Sequence, residues 1–211
     1  MNFLKEKIYK NIRIVDAIAV ILIVILSLIA KVSMFEFKSG DYNIFLQPWY
    51  EIMKNIGGFK SLALDIGDYT PAYMYFMALL TYIPIDSLIG IKIFSCLFDI
   101  FLAVGVALIA YNFTNNNQKA ILAFGIASIA PTIMLNSGMW GQCDVIYTSF
   151  IIYSLYCLLK NKPFAATIFF GISISFKIQA IFFFPVLIVL WLKNKYKFKY
   201  FFVIPLVYVV S

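Results

Sequence analysis

Residues 14–32 read IVDAIAVILIVILSLIAKV, an apolar run of the length that crosses a lipid bilayer. The composition of the whole chain agrees with this: 63% of its 211 residues are hydrophobic and 13% are charged. A soluble domain is about half apolar and about a quarter charged. The run is too long for a cleavable signal peptide and lacks a small-residue exit. We therefore predict an all-α membrane protein that keeps residues 14–33 as its first span.

Basic residues set the predicted orientation of this span. They precede it at Lys5, Lys7, Lys10 and Arg13. Since such residues mark the cytoplasmic side, residues 1–13 are predicted to be a cytoplasmic tail. Residues 34–87, the least hydrophobic part, then form a long external loop, and residues 88–211 form six further spans. The prediction is a polytopic helix bundle of about seven spans in the cell membrane, with the N-terminus in the cytoplasm.

The count of seven spans depends on residues 71–83, an apolar segment that is short for a full crossing. If it crossed, the basic loops at residues 160–162 and 193–199 would move outside, against the charge distribution of membrane proteins. We predict it instead as a juxtamembrane helix in the external loop. An amphipathic pattern around Trp49 predicts another such helix, which ends at Gly57.

The rare residue types exclude several kinds of site. The chain has no His, the commonest general base and metal ligand in proteins. Cys96, Cys143 and Cys157 are too scattered for a disulfide framework or a metal cluster and are predicted to be free buried thiols. We predict no metal site from these residues. The net charge of +7 is interpreted as a topology signal, so no nucleic-acid partner is predicted.

Polar residues recur on the predicted outer side, where acids and lysines converge. Candidate site residues are Asp41, Asp68, Tyr69, Lys92, Trp140, Gln142, Asp144, Lys177 and Gln179. Ionisable groups at membrane depth favour a functional site, here one for an anionic lipid-embedded substrate.

Each candidate also has an ordinary structural interpretation. Asp41 and Asp144 are good helix caps, and Asp68 suits a turn before Thr-Pro. Lys177 could be an interfacial residue whose ammonium group reaches the headgroups. Gln179 could make a hydrogen bond between helices. Periodicity and spacing alone leave these alternatives open.

Five segments together carry a resemblance to a known family. They are Ser39-Gly40-Asp41-Tyr42, Asp68-Tyr69-Thr70-Pro71-Ala72-Tyr73, Lys92 with Phe98-Asp99, Trp140-Gly141-Gln142-Cys143-Asp144, and Ser175-Phe176-Lys177-Ile178-Gln179-Ala180. In order and spacing they resemble the N-terminal module of the C-type membrane glycosyltransferases (GT-C). The closest resemblance is to the bacterial mannosyltransferases related to the GPI-anchor mannosyltransferases.

The resemblance implies transfer of a mannose-like sugar from a polyprenyl-phosphate carrier to a glycan, lipid or protein acceptor on the extracytoplasmic face. It implies that Asp41 is the catalytic base, and that Lys177 and Lys92 stabilise charge on the phosphate. The other candidates would bind substrate. The donor sugar-lipid is the only small molecule implied, and a divalent metal stays open. Unlike the Asp-Glu pair of the protein O-mannosyltransferases, Asp41 is followed by Tyr42.

Two other readings compete with an active transferase. A transporter or flippase for an anionic lipid-linked substrate would use the same lysines without a base, although we find no internal repeat of the kind transporters often show. The chain also ends inside an apolar run at Val209-Val210-Ser211, which favours an inactive N-terminal fragment of a longer protein. We expect the 211-residue chain alone to be inactive on this last reading.

Overall fold

The computed structural model describes the backbone of residues 2–210 and the side chains of residues 13–210. The side chains of residues 1–12, among them three of the basic residues that orient the first span, lie outside the described part. Within residues 2–210 all regular structure is helical. The α-helices are α1 Asn2–Val32, α2 Gln47–Ile56, α3 Pro71–Leu80, α4 Ser87–Thr114, α5 Asn117–Ile129, α6 Pro131–Met134, α7 Asp144–Leu159, α8 Pro163–Phe176, α9 Phe184–Leu192 and α10 Val203–Val210. Tyr42–Leu46 and Leu135–Trp140 are π-helical, and Gly58–Ala63, Ile178–Phe183 and Phe198–Phe202 are 3-10 helices.

The number of membrane-capable helices is smaller than the sequence suggested. Arg13–Val32 and α4 are long and apolar enough to cross a bilayer, with mean hydropathies of 2.7 and 2.5. The pair formed by α5 and Pro131–Trp140, bent by 46°, makes a third if it is counted as one span. The remaining apolar helices have 10–17 residues. The prediction of seven spans is therefore not confirmed, because hydropathy identifies apolar runs without fixing how far each one extends.

The two short helices predicted within residues 34–87 are present. In α2 a proline lies in the first turn and the helix ends at Gly57, whose φ of 104° is left-handed. The helix α3 begins at Pro71, directly after the extended Thr70. Proline is favoured in a first turn and glycine just past a helix end, so local sequence determines these boundaries. Their position at a membrane surface stays a prediction.

Helix α4 is the centre of the bundle. It packs against α5 and α7, while α7 pairs with α8, α8 contacts α10, and α1 lies along α5. The start of α4 also packs against the end of α3: a Cβ at Gly90 would come to 2.5 Å from Leu80 Cδ1, so any larger residue here would force the Leu80 side chain to move. Tyr73 and Met77 of α3 are fully buried in the core beneath. The packing thus brings the segment before α4 and the start of α7 to one end of the bundle.

The first span exposes a continuous apolar face. Val15 and Leu26 are each 64% exposed and Ile29 is 62% exposed. Only 11% of this span's apolar window is buried inside the protein. Such a face is stable only in contact with lipid, which agrees with a membrane location.

Candidate active site

Ser39, not Asp41, caps the helical segment that follows the first span. The Tyr42 backbone N–H donates to Ser39 Oγ at 3.2 Å, and the Asn43 N–H donates to the Ser39 carbonyl at 3.1 Å. Asp41 has helical angles, with φ −62° and ψ −37°, and makes no capping hydrogen bond. The role of helix cap, which the sequence left open for Asp41, therefore belongs to Ser39. The Asp41 carboxylate has a different partner.

That partner is Gln142, whose Nε2 donates to Asp41 Oδ2. The loop that carries Gln142 is held at two carbonyl groups. Ser39 Oγ donates to the Trp140 carbonyl and Ser95 Oγ donates to the Gln142 carbonyl, each at 3.0 Å. Gly141 between them has a left-handed φ of 68°. Ser39 thus joins two segments that are about a hundred residues apart in sequence.

The polar network continues from Gln142 to Lys177. Asn136 Nδ2 lies 3.5 Å from Gln142 Oε1 and donates to Asp144 Oδ2 at 3.1 Å. Asp144 Oδ1 forms an ion pair with Lys177 Nζ. Four predicted residues, Asp41, Gln142, Asp144 and Lys177, are therefore linked in one chain of contacts. Asn136 completes that chain and was not predicted, although an Asn-Ser pair ending an apolar run was a usable signal.

Lys177 lies between two aromatic rings. Helix α8 ends at Phe176, and Lys177 takes an extended conformation that directs it back toward α7. Its ammonium nitrogen is 5.7 Å from the centre of the Tyr69 ring and 6.0 Å from that of Tyr147. Ring faces attract a cation at this distance. An ammonium group has three donors, and the Asp144 contact uses one of them.

A small pocket also has Tyr69 in its wall. Its volume is about 180 Å³. It is lined by Asp41, Phe45, Leu46, Trp49, Asp68 and Tyr69. The Trp49 and Tyr69 rings meet edge to face at 5.5 Å. Burial, aided by Cys143 and the carboxylates of Asp144 and Asp41, raises the pKa of Tyr69, so its hydroxyl stays protonated. Carboxylates beside aromatic faces suit a polyhydroxylated ring.

Comparison with known proteins identifies the family. A model of glycosyltransferase family 87 matches residues 68–211, which is more than half of the chain. The chain belongs to glycosyltransferase family 87. This is a GT-C type family of membrane glycosyltransferases that includes mannosyltransferases, so the predicted resemblance is confirmed. No curated protein and no solved structure matches the chain.

The family match covers only part of the site of this transferase. It includes Asp68, Gln142, Asp144 and Lys177, but begins beyond Asp41. The assignment of Asp41 therefore depends on its contact with Gln142 and on the motif after the first span. Membership of the family establishes sugar transfer at a membrane as the class of activity.

Three other predicted residues lie outside the network. Trp140 is 40% exposed, and its ring packs 6.0 Å from that of Phe37. Gln179 is exposed on the 3-10 helix after Lys177, and no hydrogen bond joins it to the network within the described residues. Lys92 is fully buried and donates to the carbonyl groups of three residues beyond α1. These are Met34 at 3.0 Å, Phe35 at 3.0 Å and Phe37 at 2.6 Å. Lys92 therefore binds the backbone of the segment that runs from the end of α1 to the site.

Cys143 lies within the site, but its thiol is not expected to act as a nucleophile. It is fully buried, and this burial raises the pKa of its thiol to about 12, so the thiolate is not formed near neutral pH. The three cysteines are free. Among the described residues, no three His, Cys, Asp or Glu side chains are grouped so as to hold a metal ion.

A second ion pair, which the sequence analysis did not predict, is buried next to the segments that carry the site. Lys31 of α1 and Asp99 of α4 approach to 2.8 Å with both side chains almost fully buried. Ser137 Oγ, in the π-helix that also carries Asn136, donates to Asp99 at 2.6 Å. A Cβ at Gly138 would lie 3.0 Å from Lys31 Cα, so α1 passes close to the same π-helix. Three segments that position the network therefore meet at this pair.

Proposed function

We propose that this family 87 transferase moves a mannose-like sugar from a polyprenyl-phosphate carrier to an acceptor hydroxyl on the extracytoplasmic face of the membrane. The observation that carries the proposal is the hydrogen bond from Gln142 to Asp41. Through Asn136 and Asp144, this contact connects a carboxylate to the ammonium group of Lys177. Sugar transfer from a phosphate donor needs both kinds of group within one site.

Asp41 serves as the general base in this proposal. The acceptor hydroxyl oxygen attacks the anomeric carbon of the sugar, and its proton passes to the Asp41 carboxylate. The bond from the anomeric carbon to the phosphate oxygen breaks, and its electron pair leaves on the carrier phosphate. Gln142 orients the carboxylate through one oxygen and leaves the other oxygen to face the acceptor. A positioned base of this kind contributes about 10²–10⁴-fold to the rate.

Lys177 receives the carrier phosphate. Asp144 holds the ammonium group in place through one contact, and the rings of Tyr69 and Tyr147 also attract it. The donor phosphate then shares this cation with Asp144. A fixed cation at the leaving oxygen stabilises the negative charge that develops as the sugar departs.

The sugar ring occupies the pocket beside Asp41. Asp68 accepts hydrogen bonds from sugar hydroxyl groups, and the rings of Trp49 and Tyr69 contact the apolar face of the sugar. Tyr69 lines this pocket and its ring also contacts Lys177, so in this proposal it lies where the sugar and the phosphate are joined. In this arrangement the chain is a multi-pass protein with its N-terminus in the cytoplasm.

The donor class is tested with purified wild-type chain in liposomes. Radiolabelled polyprenyl-phosphate mannose is compared with the nucleotide sugar GDP-mannose at equal concentration, and labelled acceptor is measured. Transfer from the lipid donor alone supports the proposal, and transfer from GDP-mannose alone contradicts it. Movement of the intact lipid-linked sugar across the bilayer without transfer would instead support the transporter reading.

The phosphate contact is tested in the same assay with Lys177→Met. We expect the KM for the lipid donor to rise at least ten-fold, because a charge-assisted hydrogen bond contributes about 1.5–3 kcal/mol. Lys193→Met is the matched control, since Lys193 is an exposed lysine at the end of α9. Equal KM values for the two variants would remove Lys177 from the donor site.

A further inference from the structure

A larger cavity lies at the opposite end of the bundle from the site. It has a volume of about 460 Å³ and opens between α1, α4 and α5. Its wall is mostly apolar, with Val20 from α1, Ala107 and Leu108 from α4, and Phe124 from α5. Neither the family match nor the proposed mechanism gives this cavity a role.

The cavity begins at a membrane interface. Arg13 and Asp16 of α1 line it, and Arg13 lies about five helical turns, or about 27 Å, before Lys31. That length is close to the hydrocarbon thickness of a bilayer, about 30 Å. Because Lys31 lies beneath the site, the mouth of the cavity falls at the other surface. Tyr111 of α4 also lines it, and tyrosine is typical of this depth.

The mouth of the cavity carries one positive and one negative group. Arg13 and Asp16 are one turn apart on α1, and among the described side chains no ion pair joins them. Asn117, at the start of α5, adds a neutral amide. A doubly negative headgroup would be repelled by Asp16, whereas a headgroup with one phosphate and one ammonium group matches both charges.

We propose that this cavity binds one phospholipid with an amine headgroup, namely phosphatidylethanolamine. The lipid phosphate contacts Arg13, the ammonium group contacts Asp16, and an acyl chain fills the apolar space between α1 and α4. Pockets between membrane helices are known to hold lipid headgroups. The occupant comes from the bilayer itself, since the wall is mostly apolar and belongs to helices that can cross a membrane. This site does not depend on the proposed function.

Lipid retention by the purified chain tests the proposal. The protein is exchanged into detergent with equal phosphatidylethanolamine, phosphatidylglycerol and polyprenyl phosphate, and bound lipid is counted by native mass spectrometry. We expect one phosphatidylethanolamine per wild-type chain. Arg13→Gln should lower its retention roughly five-fold, because one basic residue near a headgroup contributes about 1 kcal/mol. Lys119→Gln is the matched control: Lys119 is an exposed residue of α5 that does not line the cavity.

Two further variants distinguish the occupants. Asp16→Asn should lower phosphatidylethanolamine retention and admit the anionic lipids, because the repelling carboxylate is gone. Unchanged phosphatidylethanolamine retention in this variant, or retention of phosphatidylglycerol or polyprenyl phosphate instead by the wild-type chain, would overturn the choice of headgroup. Ala107→Phe fills the cavity and should abolish retention, with helical content checked by circular dichroism. Retention unchanged in Arg13→Gln, or equal loss in Lys119→Gln, would overturn the site even if Ala107→Phe fails to fold.

Discussion

Neutralising one partner of the Lys31–Asp99 pair should destabilise the protein far more than neutralising both. The two groups are 2.8 Å apart, and their side chains are 1% and 0% exposed. An unpartnered charge at such a position costs about 3–5 kcal/mol, whereas removal of both charges is close to neutral. We therefore expect Lys31→Met and Asp99→Asn each to lower the free energy of unfolding by about 3–5 kcal/mol. Asn retains an oxygen that can accept from Ser137, so the double variant loses little else.

The assay is a double-mutant cycle on the purified chain. The free energy of unfolding is measured by denaturant titration in detergent micelles and followed by circular dichroism. The double variant should recover most of the loss, which gives a coupling free energy of about 3 kcal/mol or more. Additive losses, or single losses below about 1 kcal/mol, would refute the conclusion that this pair is a buried, mutually dependent contact.

Three further changes test how the network is held. Ser39→Ala removes the helix cap and should lower the free energy of unfolding by about 1 kcal/mol in the same titration, whereas Ser33→Ala, at an exposed serine, should not. Gln142→Leu should lower sugar transfer roughly ten-fold or more, because Asp41 loses a charge-assisted hydrogen bond; the labelled product measures this. Gly141→Ala should destabilise by about 1–2 kcal/mol, owing to its left-handed φ of 68°, measured against Gly40→Ala, whose new Cβ meets no atom within 4 Å.

Each of these changes has a contradicting result. Equal losses for Ser39→Ala and Ser33→Ala would show that the cap does not position this segment. Full transfer by Gln142→Leu would remove Gln142 from the site. Equal stability of Gly141→Ala and Gly40→Ala would show that the Trp140–Gln142 loop tolerates another backbone conformation.

Local signals in the sequence located helices well. Pro163 begins α8 and Lys177 follows its last residue, because a proline and a charged residue bound this apolar run. The same holds for α2 and α3. The number of spans did not follow, since a 14-residue helix such as α8 is only about 21 Å long and hydropathy does not show whether it reaches both surfaces.

The site was only partly predictable because its contacts are long-range. Asp41, Gln142, Asp144 and Lys177 were found as polar residues in an apolar chain. The sequence alone does not show whether Ser39 or Asp41 caps the helical segment. That depends on which side-chain oxygen reaches the Tyr42 N–H, and in the structure it is Ser39 Oγ. Lys92 was expected at the phosphate, but the turn after α1 brings three carbonyl groups to it. No local sequence pattern predicts that turn.

The central claim is that Asp41 acts on the acceptor and not on the donor. Its most direct test is the steady-state kinetics of Asp41→Asn with polyprenyl-phosphate mannose, compared with Asp65→Asn, at an exposed acid of the same segment between α1 and α4. We predict a kcat about 10²–10⁴-fold lower for Asp41→Asn, with the KM for the donor unchanged. A kcat within a few-fold of wild type, or an equal loss in Asp65→Asn, would contradict the assignment of Asp41 as the base.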